Sequence, residues 1–291
     1  MTPLTHLQVF QALHGSSNAR LEHCANLGDG LAAALWCNHH DAQRYEGTRH
    51  HTLSCYMADG TGTFRRERPD RKGSPDKLCV MPAGADSDWI INGRIRLAHL
   101  YFSEAQFAQG CVSLLDREPR EVQLREHTFL DDPQQAARFR RLCSLDWHEP
   151  GERVLTSSLA HEMLGHALLT QVGLRDGLRL KGGLAAHQRR RLVEFIDAQL
   201  AEPLSLGLLA QLCNLSEYHF ARMFRQSFGL PPHQYVLARR LLRARQLLQS
   251  SSLALGEVAL ACGFASASHF AHRFGQTLNA TPGQYRQAMR G

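Results

Sequence analysis

Leu204–Tyr235 reads LSLGLLAQLCNLSEYHFARMFRQSFGLPPHQY, and Leu253–Tyr285 reads LALGEVALACGFASASHFAHRFGQTLNATPGQY. Aligned, they are one pattern written twice. The offset is 49 residues up to Leu215 and Phe264 and 50 from His219 and His269, so a single residue is inserted between. A repeat of this length is one supersecondary unit used twice. Leu206, Leu209, Ala210 and Cys213 fall at i, i+3, i+4, i+7, and Leu255, Val258, Ala259 and Cys262 do the same. That spacing is the buried stripe of a short amphipathic helix. Asn214 and Gly263 follow at matched positions, two residue types that enter the left-handed region at low cost, so a sharp turn is expected there. Ser216, and Ser266 or Ser268, can cap a second helix. Its buried side is Phe220, Phe224 and Phe228 in one copy and Phe270, Phe274 and Leu278 in the other. Gly229 and Asn279 suit left-handed C-terminal caps, and Pro232 and Pro282 open the helix after.

Two short helices joined by a tight turn, the second with a polar outer face, make a helix-turn-helix, whose second helix enters the major groove of DNA. In the first copy that face carries Tyr218, Ala221, Arg222 and Arg225; the matched positions in the second are Ser268, Ala271, His272 and Gly275. Arg222 can pair bidentately with guanine, and Tyr218 offers a hydroxyl and an apolar ring. Between the copies, Pro232 to Gln249 contains no glycine or further proline and predicts a helix roughly 27 Å long. This is near the roughly 34 Å between successive major-groove faces, so the helix is expected to set the spacing of two recognition helices. Arg239, Arg240, Arg243 and Arg245 on it are expected to reach phosphates in part.

Charge supports a polyanion partner for this third of the chain alone. Leu184 to Gly291 holds twelve arginines, no lysine and five carboxylates, while the 291-residue chain carries a net charge of only +6. A basic module joined to a near-neutral one is the electrostatic footprint of nucleic-acid binding. The eight cysteines form no CxxC pair, which points to reduced, mostly buried thiols rather than zinc or redox chemistry. Neither a secretory leader nor an apolar run long enough to span a membrane is legible, so a cytoplasmic protein without a membrane partner is expected.

The run from about Gly183 to Tyr285 resembles the DNA-binding domain of AraC/XylS-type transcription regulators. The pieces that carry the likeness are LSLGLLAQLCNLSEYHFARMF, RRLLRARQLL, LGEVALACGFASASHFAHRF and TPGQY. The resemblance implies seven helices. It carries DNA contacts over to Tyr218, Ala221 and Arg222 in the first recognition helix and to Ala267, Ser268 and His272 in the second, with Arg240 and Arg243 in the linker-helix signature. Where this chain has His272 the family frequently has arginine, which points to the first unit as the main source of specificity.

Upstream, Leu31–Cys37, Thr52–Ala58, Thr61–Arg66, Leu78–Met81 and Arg94–Phe102 read as short strands. Asp59-Gly60 and Asn92-Gly93 carry hairpin-turn chemistry. A small β-barrel or sandwich is expected, then helices over Pro133–Leu145 and Arg153–Val172 and a linker in GLRDGLRLKGGL. This layout looks like the cupin-like sensor and dimerisation helices of many members of the same family, with the helix over Arg153–Val172 as the expected dimer contact. The fold class is therefore α+β: an N-terminal cupin-like β-barrel with a helical appendage over 1–175, a linker at 176–184, and an all-α domain with two helix-turn-helix units over 185–291. Trp36, Tyr56, Trp89 and His99 are candidate effector-pocket residues, alongside ordinary core packing as their other reading.

His39, His40, Glu46, His50 and His51 cluster, but Ser87 stands where the second cupin motif, opening at Pro82 and Gly84, needs histidine, so no metal site or cofactor is expected. HEMLGH (His161–His166) has one residue too many for a zinc-protease HExxH, because residues at i and i+5 do not share a helix face. No GxSxG, GxxxxGK[ST] or GxGxxG motif occurs, and an enzyme is not expected. The expectation is a homodimeric, sequence-specific transcription regulator. It is expected to bind double-stranded promoter DNA and to respond to a small-molecule effector, and activation, with RNA polymerase as a further partner, is the family's commoner mode. The alternatives are a cupin-type metalloprotein fused to a DNA-binding domain and a non-specific architectural DNA binder.

Overall fold

The computed structural model describes residues 4–175 and 180–290; part of the expected linker, residues 176–179, lies outside them. The chain divides into two compact units, one of Met1–Gln106 with Gln123–Gly173 and one of Phe107–Val122 with Leu174–Gly291. The first is built on a sheet. After α1 (Gln8–Gly15) come β1 (Ala19–Gly28), β2 (Leu31–Tyr45), β3 (His50–Asp59), β4 (Thr63–Arg65), β5 (Lys77–Met81) and β6 (Ser87–Ser103). α2 (Glu104–Leu115) and a 3-10 turn (Pro119–Glu121) follow, then β7 (Val122–Leu124), β8 (His127–Asp131), α3 (Pro133–Ser144), α4 (Pro150–Thr170) and β9 (Val172–Leu174). The main sheet runs β1-β2-β6-β3-β5-β8 with β4 on β6, while β7 pairs with β9.

This corrects the expected barrel. Among the described residues β1 and β8 end the order without pairing to each other, so the sheet is open. The edge at β1 is partly covered: Trp147 packs on His23 at 6.1 Å between ring centroids, and His161 of α4 bonds Asp29, just past the strand, at 3.1 Å. Asn92-Gly93 is not a hairpin turn either. It is a bulge inside β6, where the pairing with β2 steps from His39/Arg94 to Asp41/Ile91, with Gly93 at φ 106° and His40 opposite at φ 45°. A bulge of this kind bends the strand without ending it. Asp59-Gly60 does turn the chain, both residues having positive φ.

β2 and β3 are buried on both faces over Leu31–Trp36 and His50–Tyr56. On one face Trp36, Tyr56, Trp89, Tyr101 and Phe129 form a core capped by Phe10 and Leu13 of α1, with Phe10 edge-on to Trp36 at 5.0 Å. α3 and α4 pack together through the Gln135 amide, which donates to the Met163 carbonyl at 3.0 Å. Each starts with a proline and a carboxylate cap: Asp132 accepts from Gln135 N and Glu149 from Glu152 N.

The second unit is helical: α5 (Ala186–Ala198), α6 (Leu206–Leu212), α7 (Glu217–Phe228), α8 (Pro232–Ser250), α9 (Leu255–Ala261), α10 (Ala267–Leu278) and α11 (Pro282–Arg290). These are the seven helices the resemblance implied. Val112 of α2 joins the core of Leu184, Leu192, Ile196, Phe220, Phe224 and Phe228. Glu118, 1% exposed, anchors the preceding segment to the same unit. It accepts from Arg189 at 2.8 Å and pairs with Arg120, which donates to the Lys181 and Gly182 carbonyls at 3.1 Å each.

Candidate nucleic-acid interface

Each half of the repeat is held by local chemistry. Ser205 caps α6, accepting from Leu208 N at 3.2 Å. The chain then turns through Asn214 at φ 55°, and Ser216 caps α7 by accepting from His219 N at 3.4 Å. In the second copy the turn is Gly263 at φ 74°, and Ser266, not Ser268, takes the cap position with His269 N at 3.1 Å. Gly229 at φ 72° and Asn279 at φ 53° close the two second helices in the left-handed region. Beneath each recognition helix lies an aromatic ladder. Phe220, Phe224 and Phe228 stack toward Tyr235, and Phe270 and Phe274 toward Tyr285, all at most 2% exposed. Rings locked this way fix the helix rotation, and so decide which side chains face outward.

Most of the residues named from sequence on α7 and α10 face outward. Tyr218 is 82% exposed. Arg222 and Arg225 are exposed on the same face and Ala221 is half-buried; on α10, Ala267, Ser268 and His272 are exposed. Among the described residues Arg222 and Arg225 enter no ion pair, which leaves two guanidinium groups on α7 available to a ligand.

The arginines of α8, expected to reach phosphates in part, divide sharply. Arg239 Nε donates to Asp197 Oδ1 at 2.7 Å, and Arg245 to the Tyr285 hydroxyl at 3.3 Å. Arg240 donates to the carbonyls of Leu200 and Glu202 at 3.0 and 2.9 Å, and burial pulls its guanidinium below the ordinary arginine range. These three brace the helical unit against itself. Arg243 alone of the four is exposed, and among the described residues it enters no ion pair.

The candidate pocket residues of the sheet unit are all buried, but they do not all meet. Tyr56, Trp89 and His99 line one cavity together with Tyr45, Ser54 and Thr63, of about 380 Å³ with the open solvent at its mouth included. Trp36 is instead packed within the core, fully buried. His99 shares a hydrogen bond with the Tyr101 hydroxyl at 2.9 Å, and burial, with His50 nearby, pushes it down to about 3. His50 is pushed down to about 4 by burial. Sequence reasoning missed Tyr45, Ser54 and Thr63. The alternation of β2, β3 and β4 could have placed them on a common face, but which face lines a cavity is set by long-range pairing.

Two of the clustered histidines make structural hydrogen bonds. The His51 ring accepts from Ala83 N at 3.0 Å, and His166 bonds Asp132 at 2.7 Å. Among the described residues no three His, Cys, Asp or Glu side chains are arranged to hold a metal ion, and no helix is long and apolar enough to cross a membrane.

The profile of a helix-turn-helix domain family matches residues 209–288. The chain is 36% identical over 110 residues to the HTH-type transcriptional regulator GbdR of Pseudomonas aeruginosa, a match that takes in 37% of this chain and only 30% of GbdR. Two further likenesses extend through both units. With the MmsAB operon regulatory protein of Pseudomonas aeruginosa the identity is 31% over 251 residues, 82% of this chain and 76% of that protein. With the regulatory protein PocR of Salmonella typhimurium it is 34% over 257 residues, 81% of this chain and 78% of that one. Joined to a duplicated bihelical unit with two exposed recognition helices, these likenesses establish that the chain belongs to the AraC/XylS family of transcription regulators.

Proposed function

We propose that α7 and α10 enter adjacent major-groove segments on one side of a promoter duplex, with α7 supplying most of the base readout. The observation that carries this reading is the pair of exposed helix faces on one repeated scaffold, with Arg222 and Arg225 available on the first and no arginine at the matched positions of the second. α8, 19 residues long, spans about 29 Å at 1.5 Å per residue, close to one groove repeat. Tyr218, Ala221, Arg222 and Arg225 contact bases or adjacent phosphates from α7; Ala267, Ser268 and His272 set the register of α10; Arg243 contacts the backbone.

Residues 185–291 act as the DNA-binding domain and the sheet unit as a cupin-like effector sensor, a reading supported by the pocket among its core residues. The regulator works as a homodimer in the cytoplasm and activates transcription with RNA polymerase. An effector shifts the equilibrium between DNA-competent and DNA-incompetent arrangements through its difference in affinity for the two. We assign the chain no catalytic step. Selection of bound sequences from a random DNA pool, followed by footprinting with the full chain, tests the DNA reading. Two protected groove segments one helical turn apart are expected. A diffuse pattern with no selected sequence would instead make this an architectural binder.

A further inference from the structure

The cavity of the sheet unit has a distinct chemical character. Tyr45, Tyr56 and Trp89, each at most 8% exposed, wall it with aromatic surface, and leucine, isoleucine and methionine side chains supply most of the rest. Among the described residues no Asp, Glu, Lys or Arg is on its lining. The cation beside it, Arg65, lies 5.8 Å from the Trp89 ring centroid and is already paired with Glu67 and Glu126. His99 contributes a neutral imidazole, since burial holds its pKa far below neutrality.

Two of the lining residues each carry a polar atom that has no partner within the protein. Trp89 Nε1 and Thr63 Oγ1 are buried and meet neither acceptor nor donor. They stand on neighbouring strands, because β4 pairs with β6 through Thr63/Ile91 and Arg65/Trp89. Buried polar groups in folded proteins are as a rule hydrogen-bonded, and one left over needs an explanation. A donor N–H and a hydroxyl on two residues of one largely aromatic and aliphatic lining, with no charge to neutralise a charge, define a ligand class.

We propose that this pocket binds a small uncharged organic molecule, an aromatic or alkyl body carrying one hydrogen-bond-accepting oxygen, with the Trp89 indole N–H and the Thr63 hydroxyl as its polar contacts. A carboxylate or an ammonium group entering the same space would give up its hydration with no counter-charge to replace it, so the pocket rejects both. The regulatory consequence of this binding rests on the reading of the sheet unit as an effector sensor; the ligand class itself rests on the lining.

The test uses the full chain labelled with 5-fluorotryptophan at its three tryptophans and followed by fluorine NMR. Benzyl alcohol, benzoate and benzylamine are titrated as near-isosteric neutral, anionic and cationic probes. Benzyl alcohol is expected to shift the Trp89 resonance saturably, identified by its loss in Trp89→Phe, and to bind at least ten-fold more tightly than either charged probe. Thr63→Val is expected to weaken it at least three-fold with the Trp36 and Trp147 resonances unmoved; should that variant misfold, the wild-type series decides alone. Equal or tighter binding of a charged probe at Trp89, or no saturable shift with any of the three, overturns the proposal. Binding at Trp89 that leaves affinity for the selected DNA unchanged upholds the ligand class and sinks the effector reading, so the two failures are distinguishable.

Discussion

In the first repeat the left-handed residue between the helices is Asn214 (φ 55°) and the one closing the second helix is Gly229 (φ 72°); in the second repeat the residue types are exchanged, Gly263 (φ 74°) and Asn279 (φ 53°). The same backbone is demanded at both places, and either residue type that tolerates it serves. The cores agree as closely: Phe220 and Phe224 have centroids 5.5 Å apart, Phe270 and Phe274 5.4 Å. The outer faces do not agree. Arg222 and Arg225 of α7 stand opposite His272 and Gly275 of α10 in the alignment. Two units built to one plan can thus be specialised by the few side chains that take no part in holding the plan together.

The largest expected effect tests the shared scaffold. Phe220→Ala and Phe270→Ala each remove a fully buried ring and are expected to cost about 3–5 kcal/mol of stability. Chemical denaturation of the two variants should give nearly equal losses; a gap of more than about 2 kcal/mol would mean that the cores bear unequal loads. The turns should differ, in contrast. A Cβ on Gly263 would run into the Leu200 carbonyl oxygen and the Arg240 guanidinium, so Gly263→Ala is expected to cost about 1–3 kcal/mol from strain at a left-handed position. Asn214→Gly at the matched turn is exposed and should change stability by only a few tenths of a kcal/mol. Equal losses at the two turns would show that the close approach at Gly263 has no counterpart in solution.

That contrast also explains what could be read in advance. The helical repeat was legible because its signals are local: a serine cap, a residue suited to positive φ, and apolar positions at i, i+3, i+4, i+7 all lie within one turn or two of what they control. The sheet was less so. Asn92-Gly93 carries hairpin chemistry, yet pairing with β2 continues on both sides of it, and the long-range ladder overrode the local preference. β1 went unrecognised because its exposure pattern is irregular, as befits an edge strand partly covered by a helix. The arginines of α8 show the same limit at the level of single residues. Arg239 and Arg240 meet Asp197 and the Leu200 carbonyl some 40 residues away, and nothing within α8 itself announces those partners.

The outer faces are next in expected size. Arg222→Ala should weaken operator binding by about 1–3 kcal/mol and relax preference at one base pair, the behaviour of a lost bidentate contact. His272→Ala should cost under about 1 kcal/mol with base preference retained, if α10 mainly sets register. Binding measured against single-base operator variants would decide this. Equal losses with preference relaxed under both helices would remove the proposed division of labour.

The smallest effect on DNA binding, a change in salt slope, separates two arginines three residues apart on α8. Arg243 is exposed, whereas Arg240 is committed to the Leu200 and Glu202 carbonyls. A phosphate contact releases condensed counterions, so its removal lowers the slope of log K against log salt by about 0.9 on duplex DNA. Arg243→Ala should therefore weaken binding uniformly across operator variants and flatten the salt dependence by about that much. Arg240→Ala should leave the slope where it was and lower the unfolding free energy instead, by roughly 1.5–3 kcal/mol, because two carbonyls lose a charged donor. A flattened slope in the Arg240 variant would mean that its guanidinium exchanges those carbonyls for a phosphate when DNA arrives, and that the bracing network around α5 and α8 opens on binding.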